Sequence, residues 1–402
     1  MEVAAFGRHC TSFRLEFGLS FVRRFLLCNR NPMNMLRNNR REFLGTTLTA
    51  ATAAGIAQGG FFSSSTYGRE NKKLGVALVG LGSLSTNQIA PGLLNSAHCK
   101  LTAIVTGTPE KEKQWADKYG IQPDHIYNYQ SFDKIASDDS VDIVYIVLPN
   151  NMHAEFTIRA AKAGKHVLCE KPMANSVADC RAMIDACKTA DRKLAIGYRC
   201  QFEPHHIKSM QIARSKELGA IKMIEAGFGF TIGDPKQWRL RKELAGGGAL
   251  MDVGIYALQS CRYLLGEEPK MITAQETKTD AVKFAEVDES ITWLMQFPSG
   301  VLAYCSTSYN FNGLNRFQAF TDKGFIRMDP AFGYSDVRLE TSKGKIDLQS
   351  QDQFATELDN FAKCILEDQT SKVSGEEGLK DLLAIEAIYK SIATRTTVAV
   401  ES

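Results

Sequence analysis

Residues 246–256 (GGGALMDVGIY) place a carboxylate and a phenol inside an otherwise apolar run. Asp252 and Tyr256 are four residues apart, so in a helix they share one face. A capping aspartate beside a core tyrosine would be the purely structural explanation. A phenol can also carry a proton in catalysis, but its ordinary pKa of about 10 requires a nearby ammonium to favour the ionised form. The pair therefore predicts the proton-transfer part of an active site.

A second run, CEKPMA, supplies a candidate ammonium in Lys171. It follows an apolar, strand-like segment, and doubly wound sheets bind their ligands at the carboxyl edge of the strands. A lysine buried at that edge costs desolvation free energy unless it has a partner or a function. A salt bridge between Lys171 and Glu170 is the simpler alternative. The functional interpretation makes Lys171, Asp252 and Tyr256 one catalytic group.

A glycine-rich turn follows the first predicted strand, LGVALVG. Gly80 and Gly82 allow a tight turn and a close approach of the backbone to a pyrophosphate, which the loop would bind together with Ser83 and Leu84. Ser85 stands where the dinucleotide-binding pattern has its third glycine, and this substitution weakens the motif. The position between a strand and a helix strengthens it. We therefore predict a dinucleotide site rather than a merely structural turn.

The end of the second predicted strand indicates which dinucleotide binds. An NAD site has an acidic residue there, which accepts hydrogen bonds from the ribose hydroxyls. This chain instead has Thr106 and Thr108, followed by Lys111. Hydroxyl donors and a cation without a carboxylate suit a 2′-phosphate, so NADP is favoured over NAD. The alternative is that Lys111 is only a solvated helix charge.

The elements that must position these residues change in type along the chain. Over residues 73–198, apolar strand-like runs alternate with helix-like runs, which predicts a doubly wound parallel sheet, the NADP-binding Rossmann domain of an α/β protein. Over residues 199–402, strands follow one another, with hairpin turns predicted at residues 298–300 and 322–324. This second part is predicted to be an α+β domain with a largely antiparallel open sheet, which binds substrate and forms oligomers.

The N-terminal residues resemble an export signal. Arg40 and Arg41 precede a weakly apolar, Ala- and Thr-rich run that ends in small residues, the order of a twin-arginine signal. Residues 1–57 are therefore predicted to be a signal region, with the true start at Met33 or Met35, and residues 58–72 a short arm. A disordered basic leader is the alternative. The signal predicts a periplasmic protein, and its absence would predict a cytoplasmic one.

Composition and spacing exclude several classes of protein. Residues 1–57 carry eight arginines and three glutamates, a net of +5, so the formal charge of +3 leaves −2 for the rest and predicts no nucleic-acid partner. The ten cysteines form no CxxC pair, and no HExxH spacing occurs, so no metal is expected. The sequence also has no apolar run of the roughly 18 residues that a membrane span needs. His205 and His206 are predicted to lie at the surface.

Five motifs, in order, resemble the Gfo/Idh/MocA family of oxidoreductases and, within it, the glucose–fructose oxidoreductases. They are VGLGSLSTNQIAPGL, CEKPMANSVADC, GYRCQFEP, QWRLRKELAGGGALMDVGIY and RYLLGEEP. The resemblance implies that Asp252 binds sugar hydroxyls, that Tyr256 transfers the proton, and that a cis bond precedes Pro172. Residues that the resemblance assigns to the cofactor and its pocket are Gly80, Gly82, Thr106, Lys111, Tyr129, Asn150, His153, Glu170, Lys171, Arg199, Trp238 and Arg239.

The resemblance implies a tightly bound NADP that an aldose such as glucose reduces, giving a lactone, and that a ketose such as fructose reoxidises, giving an alditol. It also implies a homo-oligomer, a dimer or tetramer formed through the C-terminal sheet. The short arm at 58–72 lacks the prolines of the family's longer arm, so an NADP-dependent aldose dehydrogenase or reductase with exchangeable cofactor is the alternative. A silent dinucleotide sensor is a third hypothesis. Gln201, Phe202 and Glu203 depart from the family pattern and leave the sugar preference open.

Overall fold

One parallel sheet of six strands occupies the first part of the computed structural model, which describes residues 73–401. The strand order is β3-β2-β1-β4-β5-β6, and every pair is parallel. The strands are β1 (Leu74–Val79), β2 (Cys99–Val105), β3 (Ile126–Tyr127), β4 (Ile143–Ile146), β5 (His166–Glu170) and β6 (Leu194–Gly197). The order runs outward from β1 in one direction and from β4 in the other, which creates a crevice at their carboxyl ends.

Helices cover both faces of this sheet, so its central strands are buried and apolar, as a parallel sheet requires. The helices are α1 (Ala90–Asn95), α2 (Pro109–Tyr119), α3 (His153–Lys162) and α4 (Val177–Thr189). The helix predicted around Pro91 begins as a π-helical turn, Ser85–Ile89, and continues as α1. Pro91 lies in the first turn of α1, where its missing N–H costs little.

A second sheet of nine strands follows, in the order β14-β13-β12-β11-β7-β10-β9-β8-β15. Within the described part of this second sheet only the β10–β7 pair is parallel, and the turns predicted at residues 298–300 and 322–324 join antiparallel neighbours. The predicted α/β fold with a largely antiparallel second sheet is confirmed. The strands are β7 (Ile221–Gly229), β8 (Met271–Thr277), β9 (Ser290–Gln296), β10 (Leu302–Ser308), β11 (Leu314–Thr321), β12 (Gly324–Met328), β13 (Leu339–Thr341), β14 (Gly344–Ile346) and β15 (Val398–Ala399).

Five further α-helices follow in the described part of the chain. They are α5 (Pro204–Ser215), α6 (Lys242–Ala245), α7 (Ile255–Leu265), α8 (Gln353–Leu366) and α9 (Gly375–Thr394). Although α8 and α9 lie in the sequence of the second domain, α8 packs on α1 and α9 packs on both α4 and β8. The carboxylate of Asp359 on α8 accepts hydrogen bonds from Ser96 and His98, just before β2. The C-terminal helices therefore fasten the second sheet to the first.

The predicted signal region, the alternative starts at Met33 and Met35, and the arm at 58–72 lie outside the described residues. Within residues 73–401, no helix is long and apolar enough to cross a membrane.

Candidate active site

The glycine loop after β1 is shaped to admit a ligand. Gly80 has φ of +89°, and an added Cβ there would lie 2.3 Å from the main-chain oxygen of Val147. A Cβ on Gly82 would meet no atom within 4 Å, because this residue borders open space. Ser85, in place of a third glycine, donates a 2.5 Å hydrogen bond from Oγ to the Gly80 carbonyl oxygen and so closes the turn. The loop thus leaves backbone exposed where a pyrophosphate would approach.

This loop forms one wall of a cleft of about 380 Å³, which we call the cofactor cleft. Its volume lies within the roughly 300–1,000 Å³ that small-molecule and cofactor sites occupy. All but one of the predicted site residues line it. They are Gly80, Gly82, Ser83, Leu84, Thr106, Lys111, Tyr129, Asn150, Glu170, Lys171, Arg199, Trp238, Arg239, Asp252 and Tyr256.

The adenosine end of the cleft carries the predicted signature at β2. Thr106 and Thr108 line it, and the cleft lining contains no carboxylate from the end of β2. Lys111 Nζ donates a 2.9 Å hydrogen bond to the carbonyl oxygen of Leu81 in the glycine loop. The lysine therefore has a structural contact as well as a place on the wall, and its ammonium lies next to the loop that would bind phosphate groups.

Lys171 directly follows β5 and contacts Asp252 and Tyr256, the part of the site that comes from the C-terminal domain. Its bond to Pro172 is cis, as predicted. The ammonium Nζ donates to the main-chain oxygen of Asp252 at 2.6 Å and to its carboxylate Oδ1 at 3.3 Å, and it lies 4.8 Å from the centre of the Tyr256 ring. The side chain of Glu170 instead accepts a hydrogen bond from the Tyr145 hydroxyl at 2.9 Å. Lys171 therefore pairs with Asp252 and not with Glu170.

The carboxylate of Asp252 is the shared hydrogen-bond acceptor of this group. Besides Lys171, its carboxylate Oδ2 accepts hydrogen bonds from Arg239 Nε at 3.1 Å and from the Tyr309 hydroxyl at 2.9 Å. Burial opposes the charge of the carboxylate, but the cations of Lys171 and Arg239 outweigh it and hold the pKa of Asp252 below its usual value. Asp252 is therefore an ionised acceptor that fixes the positions of Lys171 and Arg239.

The pKa of Tyr256 does not follow the expectation that Lys171 favours its phenolate form. Burial raises the pKa of Tyr256 well above its ordinary value, and the nearby guanidinium of Arg199 lowers it by less. Lys171 Nζ lies within cation–π distance of the ring, but its hydrogen bonds go to Asp252. Tyr256 in this structure is consequently a neutral phenol, which is poised to give a proton before it accepts one.

Arg199 lies between two aromatic rings beside the cleft. Its Cζ is 5.0 Å from the centre of the Tyr256 ring and 4.5 Å from that of Tyr334. Its guanidinium also donates to the carbonyl oxygens of Phe332 and Gly333 at 2.6 and 2.9 Å. Arg199 therefore holds the segment after β12 against the cleft and carries its own positive charge into it.

The glycines at 246–248 serve close packing rather than ligand contact. A Cβ on Gly247 would lie 2.0 Å from the Tyr389 hydroxyl, and one on Gly248 would lie 2.0 Å from the main-chain oxygen of Asp288. The Asp288 carboxylate also accepts main-chain N–H bonds of 2.6 and 2.8 Å from the start of this segment. Only residues without a side chain let the segment approach its support so closely. The close contacts with Asp288 and Tyr389 thus set the position of the π-helical turn Leu250–Gly254, which carries Asp252.

Two sequence interpretations need correction. His153 does not line the cleft, because it is buried with its ring nitrogens 2.9 and 3.0 Å from the carbonyl oxygens of Pro172 and Leu148. His205 and His206 are not surface residues, since both are more than nine-tenths buried and contact a buried carboxylate. The departures from the family pattern at residues 201–203 lie outside the cofactor cleft.

Sequence reasoning missed two tyrosines of the site. Tyr309 follows β10 and binds Asp252 across 57 residues of sequence, and Tyr334 covers the outer face of Arg199. Neither residue belongs to a short motif, so no local signal could have revealed them. Within the described residues there is no cluster of three or more side chains suited to a metal ion.

Comparison with known proteins decides the family. The model "Oxidoreductase family, NAD-binding Rossmann fold" matches residues 74–198, and the "GFO/IDH/MocA C-terminal domain" matches residues 206–327. The chain belongs to the Gfo/Idh/MocA oxidoreductase family. The family predicted from the motifs is thereby confirmed, and the chain is an oxidoreductase.

Curated members of the Gfo/Idh/MocA family include two similar enzymes. The D-xylose 1-dehydrogenase (NADP(+)) of Haloarcula marismortui is 32% identical over 336 residues, which cover 81% of this chain and 92% of that protein. The D-xylose 1-dehydrogenase (NADP(+)) 2 of Haloferax volcanii is 29% identical over 332 residues, covering 81% and 99%. Among solved structures, the aldose-aldose oxidoreductase of Caulobacter crescentus, complexed with glycerol, is 46% identical with a TM-score of 0.80, covering 82% of this chain and 100% of that one.

Proposed function

We propose that the protein is an NADP-dependent sugar oxidoreductase, which oxidises a cyclic aldose at C1 to the lactone and then reduces the carbonyl of a second sugar. The observation that carries this proposal is the meeting of Lys171, Asp252 and Tyr256 at the inner end of the cofactor cleft. The aldose-aldose oxidoreductase of Caulobacter crescentus, 46% identical over its full length, supports it. Glucose and fructose are one donor and acceptor pair within this proposal.

The cleft fits a dinucleotide by its own geometry. Gly82 borders open space where a Cβ would project toward the ligand, and Lys111 brings a cation next to the glycine loop. Gly80, Gly82 and Ser83 would hold the pyrophosphate, while Thr106, Thr108 and Lys111 would hold the adenosine end. When bound, NADP supplies the acceptor for the C1 hydride and, in the reverse direction, its donor.

The residues beside that cofactor would move the proton. In the reductive half-reaction, the neutral Tyr256 donates its proton to the carbonyl oxygen of the sugar. In the oxidative half-reaction, the same oxygen, now ionised, accepts the proton of the C1 hydroxyl. Lys171 and Arg199 place positive charge 4.8 and 5.0 Å from the ring centre, and this charge stabilises the phenolate between the two half-reactions. One acid/base thus serves both directions.

A second cavity would orient the sugar. It has a volume of about 370 Å³ and shares Lys171, Asp252 and Tyr256 with the cofactor cleft. Its wall also includes the aromatic rings of Phe230 and of Tyr334, the second of which lines both spaces. A sugar there would place hydroxyls against the charged groups and its C–H face against an aromatic ring.

Nicotinamide fluorescence of the purified protein tests the proposal. We expect glucose or another aldose to raise the fluorescence of protein with NADP, and a second sugar to quench it without any other oxidant. The panel contains aldoses and ketoses, so that it also identifies the pair. Failure of every aldose to reduce NADP on the protein would refute the proposed function.

An NADP-dependent aldose dehydrogenase with exchangeable cofactor is the second candidate. The similarity to the D-xylose 1-dehydrogenases of two haloarchaea favours it. In this case the purified protein carries no nicotinamide, and each turnover consumes added NADP. The same fluorescence assay, performed before and after extensive dialysis, separates the two candidates.

We expect Lys111→Glu to lower the preference for NADPH over NADH by roughly tenfold, the value of one charge-assisted contact of about 1–2 kcal/mol. The acidic side chain would repel a 2′-phosphate and accept bonds from ribose hydroxyls instead. Fluorescence titration of cofactor-free protein with both dinucleotides measures the ratio. Lys113→Glu is the matched control, because Lys113 lies on the same helix, is largely exposed and pairs with Asp117. An unchanged ratio in Lys111→Glu would assign 2′-phosphate recognition to other residues.

We also propose that two copies associate through the open face of the second sheet. Adjacent strands expose four large apolar side chains there: Met223, Leu294, Leu302 and Tyr304 are 40–48% exposed. The strand register pairs Leu302 with Met223 and Tyr304 with Leu294, so the four form one patch. A contiguous apolar patch on a soluble protein is typical of an interface.

Tyr304→Lys is expected to shift the protein toward monomer by placing a charge in the centre of this patch. Size-exclusion chromatography with light scattering measures the mass. Leu366→Lys is the control, because Leu366 is 58% exposed on α8, away from the sheet. A wild-type protein that is monomeric at micromolar concentration would contradict the proposed interface.

A further inference from the structure

Behind Tyr256 lies a small cavity, which we call the rear cavity. Its volume is about 20 Å³, somewhat more than the roughly 10–15 Å³ that one water molecule needs. Cys200, His206, Tyr256 and Phe332 are among its walls, and Lys171 and Asp252 are not. The rear cavity is therefore a separate space that shares Tyr256 with the cofactor cleft, and Tyr256 and Phe332 with the second cavity.

Two polar groups in the wall of the rear cavity, the His206 ring and the Tyr263 hydroxyl, have a buried atom without a hydrogen-bond partner within residues 73–401, and of the two only the histidine can deliver a proton near neutral pH. Its Nδ1 lies 2.9 Å from the Glu203 carboxylate Oε2, so the opposite edge of the ring is turned away from Glu203. On that edge, Nε2 is buried and has no hydrogen-bond partner within residues 73–401. The second oxygen of Glu203 is engaged by His205 at 2.7 Å. An acid thus orients a histidine whose free nitrogen is left for a molecule in the cavity.

The charges around Cys200 favour its thiolate. Burial alone would raise the pKa of the thiol, but the positive charges of Arg199 and His206 outweigh it and lower the pKa below its usual value. Burial alone would lower the pKa of His206, but Cys200 and Glu203 raise it to about 9. Each partner thus favours the charged form of the other, and the thiolate is the form in which cysteine is a nucleophile.

The other cysteines of the described chain provide a comparison. Cys364 is buried to a similar extent, with 7% exposure against 9% for Cys200. Burial raises the pKa of Cys364, as it does for Cys187, which reaches about 12. The two cysteines are similarly buried, but their thiol pKa values are shifted in opposite directions. Cys364 therefore controls for the effect of solvent access on the oxidation rate.

We propose that Cys200 and His206 form a thiol site that reacts with hydrogen peroxide, the smallest hydroperoxide and the one whose size best matches the small rear cavity. The thiolate sulfur attacks one peroxide oxygen, an S–O bond forms and the O–O bond breaks. The departing hydroxide takes the proton of His206 Nε2 and leaves as water. The sulfur is oxidised to a sulfenic acid, Cys–SOH, and the peroxide is reduced.

Oxidation at this position has a direct route to the active site. The new oxygen on Cys200 lies in a cavity of which Tyr256 is a wall, and Arg199 is its neighbour in sequence. We expect the modified protein to lose turnover, and a thiol reductant to restore it. The reaction of Cys200 itself needs neither sugar nor dinucleotide, so it can be tested whatever the fate of the proposed function.

Site-resolved oxidation kinetics test the proposal on the full-length protein without substrates. The protein is exposed to hydrogen peroxide at pH 7, the reaction is stopped with catalase, and the protein is unfolded in dimedone, which traps sulfenic acids. Mass spectrometry of the peptides then gives a rate for each cysteine. We expect Cys200 to react at least about tenfold faster than Cys364, because each unit by which the thiol pKa falls raises the thiolate fraction up to tenfold.

His206→Gln tests the role of the histidine, since glutamine keeps a similar volume but cannot carry the proton. We expect the oxidation rate of Cys200 to fall roughly tenfold and that of Cys364 to stay unchanged. Equal oxidation rates for Cys200 and Cys364 in the wild type would overturn the proposed thiol site. This comparison does not depend on whether His206→Gln folds. A Cys200 rate that is the same in folded His206→Gln and wild type would overturn the pairing with His206.

Discussion

Tyr256→Phe is expected to lower the turnover of sugars by about 10²–10⁴-fold, the usual contribution of a positioned acid/base. The substitution removes only the hydroxyl, so the ring still packs against Phe228 and Phe332, and the cation–π contacts of Lys171 and Arg199 remain. Steady-state kinetics measure turnover, and fluorescence titration measures NADPH binding. We expect the dissociation constant of NADPH to stay near the wild-type value, which separates loss of proton transfer from loss of binding.

Tyr334→Phe is the matched control for this experiment. It removes a hydroxyl from the ring on the other side of Arg199, and we expect it to keep most of the turnover. If Tyr256→Phe keeps its turnover as well, Tyr256 is not the proton carrier. If both variants lose it equally, the environment of Arg199 rather than the Tyr256 hydroxyl is decisive.

Arg262→Met is expected to lower the free energy of unfolding by about 3–5 kcal/mol, the cost of breaking a buried ion pair from one side. Arg262 lies on α7, two turns after Tyr256, and is 1% exposed. It donates to Asp381, which is fully buried, and to Glu377 at 3.1 Å. Without Arg262, the carboxyl of Asp381 stays buried with only neutral donors. Urea unfolding curves measure the change in free energy.

The double variant Arg262→Met/Asp381→Leu distinguishes a charge effect from a packing effect. Removing both partners leaves no buried charge, so we expect it to recover much of the stability that the single variant loses. A double variant that is as unstable as the single one would show that the helix contact rather than the unpaired carboxyl is responsible. A single variant within about 1 kcal/mol of wild type would contradict the expected magnitude.

Local patterns were sufficient for the strands, the glycine loop and the two halves of the site. Parallel strands buried on both faces are apolar throughout, so β1, β4 and β5 stand out in the sequence. The position of Lys171 after β5 and the spacing of Asp252 and Tyr256 then place three polar groups at predictable ends of elements. The strand predictions depend on contacts within a few residues, which is why the structure confirms them, while the catalytic roles of the three polar groups stay predictions.

Properties that depend on several elements at once could not be predicted. The surface assignment of His205 and His206 failed because Glu203 and the surrounding core, rather than local polarity, decide their burial. The expectation that Lys171 favours the phenolate of Tyr256 failed because the ammonium donates to Asp252 and burial raises the pKa of the phenol. His153 was placed in the cleft by its motif, while its ring nitrogens face two main-chain carbonyl oxygens behind the wall.

By itself, the sequence determined the family and the α/β architecture, because motif order and hydrophobic period are written in consecutive residues, and it singled out Lys171, Asp252 and Tyr256 as candidates. Only the tertiary structure decided how these groups are charged. The neutral state of Tyr256 and the ionised state of Asp252 follow from burial and from cations on distant elements. Electrostatic free energy depends on distances in space, and the fold brings together charges that lie far apart in the chain.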